Sequence, residues 1–321
     1  MILAAGEGTR LRPLTLATPK PMIPIVGRPL LAWTLHWLAG EGVTEAAINL
    51  YHKPQSIPDY FGSDYCGVRL HYFYEETLRG TAGGVKGAES ALRGGPFFVI
   101  YGDNLLHADL RTLWDYHRAH GGAATLALFA HPNPSAAGIV GRDSAGRITR
   151  FVEKPPPGEV FSHEANAGVY VLDDALLEHI GGDVASDFGR DIFPALLAQG
   201  VPLYGTALGG YIQDTGTPDS YRQANWDALG GKVGAHYADN GVYTGNGAQV
   251  HPTALLRGRS ILGAGTQVGA HAVLTDCILW DNAVVEAGAR LERVILGNRA
   301  RVRAGAQVPK DALLGDNETA A

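Results

Sequence analysis

The apolar positions of this chain change their period near residue 230. Before it, short apolar runs alternate with stretches of helical spacing. Ala46-Ala47-Ile48-Asn49-Leu50, Leu70 to Tyr74 and Phe97 to Tyr101 read as buried strands, and Leu30 to Leu38, Asp109 to His120 and Asp187 to Gln199 as helices. In the last helix Asp187 is placed to cap, and Ile192, Leu196 and Leu197 form the buried stripe. Strand–helix alternation of this kind predicts an α/β fold with a mostly parallel sheet and helices on both faces. Ligands of such sheets bind at the carboxyl ends of the strands.

The second period is six. Val250, Leu256, Leu262, Val268 and Leu274 recur at that spacing, each preceded two positions earlier by a small residue, Ala248, Ala254, Ser260, Thr266 and Ala272. The phase slips by one residue and resumes at Leu279, Val285 and Leu291, then slips again before Leu296, Val302, Val308 and Leu314. Twelve hexads, roughly four coils of three sides, predict a parallel β-helix of hexapeptide type. The Gly-, Asn- and Asp-rich stretch Gly231 to Gly245 reads as a linker. Two domains are therefore expected, residues 1–232 and 246–316. The tail is expected to fold as a separate unit, since each coil buries its apolar rungs against the next.

Composition narrows the classes. At 321 residues the chain suits two domains, and 45% hydrophobic with 18% charged residues is ordinary for a water-soluble protein. A net charge of −6 with scattered basic residues argues against nucleic acid as a partner, and no apolar run reaches membrane-spanning length. Cys66 and Cys277 form no framework and no leader precedes the first loop, so a reducing cytoplasm is expected.

Chemistry is densest at the start. After Ile2-Leu3-Ala4-Ala5, Gly6 and Gly8 permit a tight turn whose backbone N–H groups approach an anion. Arg10, Arg12 and Lys20 follow, the last between Pro19 and Pro21, which stiffen its backbone. Glycines and three cations on a Pro-stiffened loop describe a polyphosphate site. The Gly-Lys-Ser/Thr of a P-loop is absent, and Leu11 occupies the place of the third glycine of the dinucleotide fingerprint. Two carboxylates end strands, Asp103 after Tyr101-Gly102 and Asp214 after Tyr211-Ile212-Gln213; beside phosphates they are natural Mg²⁺ ligands. Arg79-Gly80-Thr81-Ala82 opens a helix whose free N–H groups and dipole would face a nucleotide.

These motifs together resemble the sugar-1-phosphate nucleotidylyltransferases, which make nucleotide sugars such as GDP-mannose, dTDP-glucose and UDP-glucose. The look is nearest to the mannose-1-phosphate guanylyltransferases, several of which carry a hexapeptide tail. The resemblance implies a Rossmann-like first domain, and left-handedness for the β-helix. It implies NTP and sugar 1-phosphate as substrates and Mg²⁺ as cofactor. Arg10 and Lys20 take catalytic places, Leu3, Ala5, Gly6, Gly8, Thr9, Gly80 and Thr81 line the nucleotide, and Asp103 and Asp214 hold the metal. Gly138, Glu153, Lys154 and Asn166 match the positions that hold sugar and sugar phosphate. Leucine is commoner than arginine at position 79, which leaves the base open. Members of the family begin a few residues earlier, so the chain is expected to start short.

Two other readings stand beside this one. A non-catalytic regulatory paralogue would have lost a metal acid or a phosphate cation, and Arg10, Lys20, Asp103, Lys154 and Asp214 are all present. An acyltransferase working from the tail would need a histidine base. His251 and His271 lie in the repeats but no long loop surrounds them, so they read as solvent-facing or packing residues. The tail is expected to serve homo-oligomerisation and support.

Overall fold

Ile2 and Leu3 form a buried two-residue strand that hydrogen-bonds in parallel to Glu45–Leu50 on one side and Phe97–Tyr101 on the other. The computed structural model describes residues 1–182, 184–234, 237 and 240–321. Outward from the first pair, Val68–Tyr74 continues the parallel half of a ten-stranded sheet. The other half turns antiparallel. Glu164–Leu172 runs against both Phe97–Tyr101 and Ala124–Ala130, and Gly138–Arg142 pairs with Ile148–Glu153. The sheet is therefore mixed rather than mostly parallel. One of these pairings follows from the short connection after Arg142: Gly146 N–H closes a turn on the Asp143 carbonyl, and so few residues allow a hairpin but no crossover helix.

Helices form at Leu30–Gly40 and Leu110–His120, the second capped by Asp109, whose side chain accepts from Thr112 N–H. The expected Asp187–Gln199 helix is shorter. A π-turn occupies Phe188–Ile192 and the α-helix is only Phe193–Ala198. Asp187 does not cap it through its side chain, which is engaged elsewhere. Phe151, Tyr170, Phe188 and Phe193 pack there in one aromatic cluster within the core.

The tail is a parallel β-helix of three sheets. Val250 faces Val268, Val285, Val302 and Ala320 in successive coils; Leu256 faces Leu274 and Leu291; Leu262 faces Leu279, Leu296 and Leu314. All twelve hexad residues line its core. Pairing begins at Val242–Thr244, inside the expected linker, and ends at Thr319–Ala320. Linker residues 235, 236, 238 and 239 lie outside the described residues. His251 and His271 are exposed, as expected; the His251 ring pairs with the Thr253 hydroxyl, and His271 turns a corner at φ 58°.

One sheet of the β-helix carries a second apolar row. The residues just before Leu262, Leu279, Leu296 and Leu314 are Ile261, Ile278, Ile295 and Leu313, and in a strand they point outward. The three isoleucines are buried nonetheless, whereas the corresponding Gln249, Gln267 and Arg301 of the next sheet are exposed. Pro24 and Gly27 lie over this row with Trp280, and a Cβ at Gly27 would stand 2.9 Å from the Tyr243 hydroxyl. The chain accordingly divides into two compact units that cut across the expected boundary. One holds Met1–Gly6, Thr34–Gly102 and Leu106–Ile212; the other holds Glu7–Trp33, Asp103–Leu105 and Gln213–Ala321. The tail lies in one compact unit with the first loop and with the helix Pro218–Leu229. Among the described residues no helix is long and apolar enough to cross a membrane.

Burial of the outer row makes a measurable demand. Ile278→Ala should cost about 2–5 kcal/mol in urea unfolding, as for a core isoleucine. Gln267→Ala, at the equivalent place on the exposed sheet, should stay within about 0.5 kcal/mol. Equal losses at the two positions would mean that the outer row is not packed.

Candidate active site

The first loop turns at Gly8, in the left-handed region at φ 63°, where a Cβ would stand 3.1 Å from both Lys20 Cβ and Thr15 Cγ2. The Thr15 hydroxyl donates to Gly8 O at 2.8 Å, and three short 3₁₀ turns, Thr9–Leu11, Leu14–Leu16 and Lys20–Met22, carry the loop onward. Pro19 and Pro21 bracket Lys20 at the last turn. Its side chain, only 4% exposed, places Nζ 2.8 Å from Asp103 Oδ2 and 3.4 Å from Asp214 Oδ1. Thr215 joins the two acids from behind, its hydroxyl donating to Asp103 O at 3.0 Å. The Arg10 guanidinium lies against Gly216, close to Asp214. Arg10, Lys20, Asp103 and Asp214 are thus brought together.

Asp103 is set deep but keeps its outer face open, the side chain being 42% exposed. Burial pushes its carboxyl up, and the charge and hydrogen bond of Lys20, with Arg10 behind it, outweigh that and hold it below the usual carboxylate value. The ammonium occupies the place of a cation between the two acids. Among the described residues no three His, Cys, Asp or Glu side chains converge. Two carboxylates are nevertheless the donor set that suits Mg²⁺, which fills its shell with substrate phosphates and water instead of a protein cage. The residues fit that ion.

Gly8 and Thr9 share the second unit with this cluster, and the other expected residues fall in the first unit. Glu153 Oε2 lies over two glycines, so that a Cβ at Gly138 would stand 2.5 Å from it and one at Gly189 2.7 Å. Lys154 follows at φ 48°, a strained conformation for a residue with a side chain, while its N–H donates to Ala137 O at 3.1 Å. Its ammonium is largely exposed, 3.7 Å from Glu153 Oε1. Asn166 sits where the strand Glu164–Leu172 slips register. Its amide donates to the Tyr170 hydroxyl at 2.6 Å and accepts from Gly168 N–H at 2.9 Å, leaving one N–H and one lone pair for a ligand.

Gly80 and Thr81 require a correction. The helix Gly80–Gly87 does open there, but its first N–H groups are not free for a nucleotide. Thr81 N–H goes to Asp187 Oδ1 and those of Ala82 and Gly83 go to Ser186 O. Gly80, at φ 71°, is needed because a Cβ would collide with the Ser186 carbonyl. Segment 186–187 caps this helix from outside, and what Asp187 was expected to give its own helix it gives here. Leu3 and Ala5 are buried and Gly6 is exposed. Thr9 opens the first 3₁₀ turn.

Several supporting residues escaped the sequence reading. Asn49 Oδ1 accepts from Ala4 N–H at 2.8 Å and its amide donates to Glu75 Oε1 at 2.7 Å, pinning the start of the first loop. The signal was an asparagine inside an otherwise apolar strand. The Tyr101 ring packs edge-on against Tyr170, and burial pushes its hydroxyl up to about 12. Asp187 holds the Thr81 hydroxyl and Tyr170 holds the Asn166 amide.

Comparison with known proteins gives this geometry a family. The nucleotidyl transferase family matches residues 1–230, and the GMPPB C-terminal domain matches residues 238–320. A mannose-1-phosphate guanylyltransferase of Mycobacterium tuberculosis is 35% identical, covering 91% of this chain and 82% of its own. A UTP–glucose-1-phosphate uridylyltransferase of Synechocystis is 31% identical, covering 94% and 85%. Among solved structures, HddC from Yersinia pseudotuberculosis complexed with GMP-PN superposes with a TM-score of 0.59 at 25% identity, covering 70% of this chain and 96% of that one.

Replacing the ammonium isolates its effect on the acid. In wild-type protein the depressed Asp103 carboxyl contributes stability above its unfolded value of about 4, lost as pH falls through the lower folded value. In Lys20→Met the charge and hydrogen bond of Lys20 are gone while Arg10 and a backbone hydrogen bond remain, so the folded value rises and the stability lost on acidification shrinks. Carboxyl-carbon NMR titration reads the shift directly. Identical Asp103 titration in both proteins would remove Lys20 as its cause.

Proposed function

The chain belongs to the nucleotidyl transferase family, and we propose that it joins an NTP to a sugar 1-phosphate, releasing a nucleotide sugar and pyrophosphate. GTP and mannose 1-phosphate are the favoured pair, supported by the mannose-1-phosphate guanylyltransferase relative and by the kind of C-terminal domain. The observation that carries the reaction class is the Lys20–Asp103–Asp214 cluster beside Arg10. It offers positive charge for a triphosphate and two acids for a divalent ion.

The sugar phosphate is itself the nucleophile and already ionised, so the protein has no need of a general base. An oxygen of that phosphate attacks the α-phosphorus in line, the bond to the bridging oxygen breaks, and pyrophosphate leaves with the electron pair. Positioning and charge neutralisation are what such a transfer requires. Arg10 and Lys20 neutralise the triphosphate, with Gly6, Gly8 and Thr9 on the loop that carries them. Lys154, exposed and strained, receives the attacking phosphate; Glu153 and Asn166 bond sugar hydroxyls, and Gly138 leaves room for the ring. Asp103 and Asp214 would hold Mg²⁺, which supplies Lewis-acid neutralisation of the phosphates when bound.

A uridylyl- or thymidylyltransferase acting on glucose 1-phosphate is the second reading, favoured by the Synechocystis relative. The non-catalytic reading fits less well, because all five charges expected of an active member are present. A cytoplasmic setting suits NTP as substrate and the unpaired Cys66 and Cys277. The two sheets of the β-helix without the apolar outer row are the surfaces offered for homo-oligomer contacts.

Pyrophosphate release from four NTPs against a set of sugar 1-phosphates tests the proposal; silence in every combination would refute it. Asp103→Asn and Asp214→Asn should each lower kcat at least about a hundredfold, near 2.7 kcal/mol, without unfolding. Near-normal rates at saturating Mg²⁺ would remove the metal assignment. Lys154→Ala should raise the KM for sugar 1-phosphate about tenfold or more and leave that for NTP within about twofold. Equal damage to both would take Lys154 off the sugar-phosphate side.

A further inference from the structure

Arg222 is buried, 3% exposed, on the helix Pro218–Leu229 that directly follows Asp214-Thr215-Gly216-Thr217. Its guanidinium donates through Nε and Nη2 to the Arg293 carbonyl at 3.0 and 2.7 Å, and through Nη2 to the Asp311 carbonyl at 3.3 Å. Arg293 and Asp311 are successive residues of one corner of the β-helix, both left-handed at φ 55° and 64°. Asp219, in the first turn of the helix, accepts from Arg222 at 3.0 Å and from Arg293 at 2.8 Å, and Arg293 also pairs with Asp311 at 2.7 Å. Two arginines and two aspartates thus close a charge-balanced network.

A buried guanidinium is a poor device for stability alone, since an apolar residue of similar volume often does as well. What it adds is direction: a planar fork that reads carbonyls in one fixed orientation. The neighbouring residues show what is oriented. The Tyr221 hydroxyl donates to Pro24 O at 2.5 Å and accepts from Trp280 Nε1 at 2.9 Å, and Asn225 Oδ1 accepts from Val26 N–H at 2.9 Å. Pro24 and Val26 lie just downstream of Lys20. The helix is started by the Thr217–Ser220 capping box, and Thr215 just before it reaches back to Asp103. One helix therefore holds the chain bearing Asp214, the backbone of Asp103 and the loop bearing Lys20.

We propose that Arg222 is a positioning residue through which the β-helix sets the alignment of Lys20, Asp103 and Asp214. The inference rests on the nucleotidyl-transfer reading for its catalytic consequence, and on this network alone for its structural one. Because the residues that receive the sugar lie in the other compact unit, loss of the latch should affect turnover and metal binding and spare the sugar phosphate.

The test uses the full chain carrying Arg222→Met, Arg293→Met and, as control, Arg290→Met, an exposed arginine of another sheet. Steady-state kinetics should show kcat reduced about tenfold or more in the first two variants, with the KM for sugar 1-phosphate within about twofold of wild type. Mn²⁺ affinity, read from the free-ion EPR signal without any turnover, should fall severalfold in both and be unchanged in Arg290→Met. A folded Arg222→Met with normal kcat and normal Mn²⁺ affinity, whatever its melting temperature, overturns the proposal. If Arg222→Met does not fold, Arg293→Met, whose side chain is partly exposed, decides by the same criteria. If wild-type protein releases no pyrophosphate from any substrate pair, the reaction reading fails, and the Mn²⁺ affinities still decide the latch.

Discussion

A single ammonium group almost wholly removed from water constrains much of this molecule. Burying an unpaired charge costs more than a protein of ordinary stability can bear, so Lys20 is tolerable only because two carboxylates meet it. Those carboxylates lie 83 and 194 residues further along the chain. Bringing them to one point requires the strand that ends before Asp103, the strand Gly210–Asp214 that pairs with Asn104–Ala108, and a loop rigid enough to present the lysine. The Pro-bracketed 3₁₀ turn supplies that rigidity, and the tight approach at Gly8 keeps the loop folded on itself. Two acids held on one cation are also poised for exchange. On the proposed reading, an arriving polyphosphate with its own divalent ion competes for the same charges, so the groups that stabilise the loop are those proposed to receive the substrate.

The β-helix enters the same constraint through its sides. A hexapeptide coil needs only its inward residues to be apolar, and a free-standing one can be polar everywhere else. Here one of three sheets is apolar on both faces, and the first loop lies over its outer row, while the helix Pro218–Leu229 meets the adjoining Trp280. The first loop thus belongs to one compact unit with a domain that carries none of the expected ligand-binding residues.

Much of this was legible in the sequence, and the failures are instructive. Strands Ala46–Leu50 and Phe97–Tyr101 announced themselves because doubly buried strands are nearly all apolar. The inward rungs announced themselves through their period, including the slips. Arg10, Lys20, Asp103 and Asp214 were found because charged residues at strand ends and beside glycines are visible one at a time. The antiparallel half of the sheet was missed, since a strand such as Glu164–Leu172 does not say which neighbours it takes. The outer row could have been read: Ile261, Ile278, Ile295 and Leu313 each stand immediately before an inward leucine, while glutamine or arginine stands before most inward valines. Attention to one apolar position per hexad hid the other. The capping of the Gly80 helix by Ser186 and Asp187 had no local signal, because a cap supplied from another part of the chain leaves no spacing to detect.

The phase slips acquire a meaning from the same geometry. Both fall where the third side of a coil turns into the docked sheet, between Leu274 and Leu279 and between Leu291 and Leu296. Asp276, Arg293 and Asp311 stack at that corner, all left-handed, and two of them supply the carbonyls that Arg222 reads. Two coils pass this corner with one residue fewer than the other two, yet Ile261, Ile278, Ile295 and Leu313 stay in register. The corner absorbs that difference in length and still presents the carbonyls of Arg293 and Asp311 to Arg222. The corner that leaves the docked sheet is engaged too, since Trp280 donates to the Tyr221 hydroxyl and a Cβ at Gly315 would stand 3.1 Å from Pro13 Cβ. The exposed corner at His271 is the less committed one. Length variation, inserted loops and engineered fusions belong there, and a builder of chimaeric tails would have to respect the asymmetry of a triangle whose three vertices look alike in the repeat but not in their obligations.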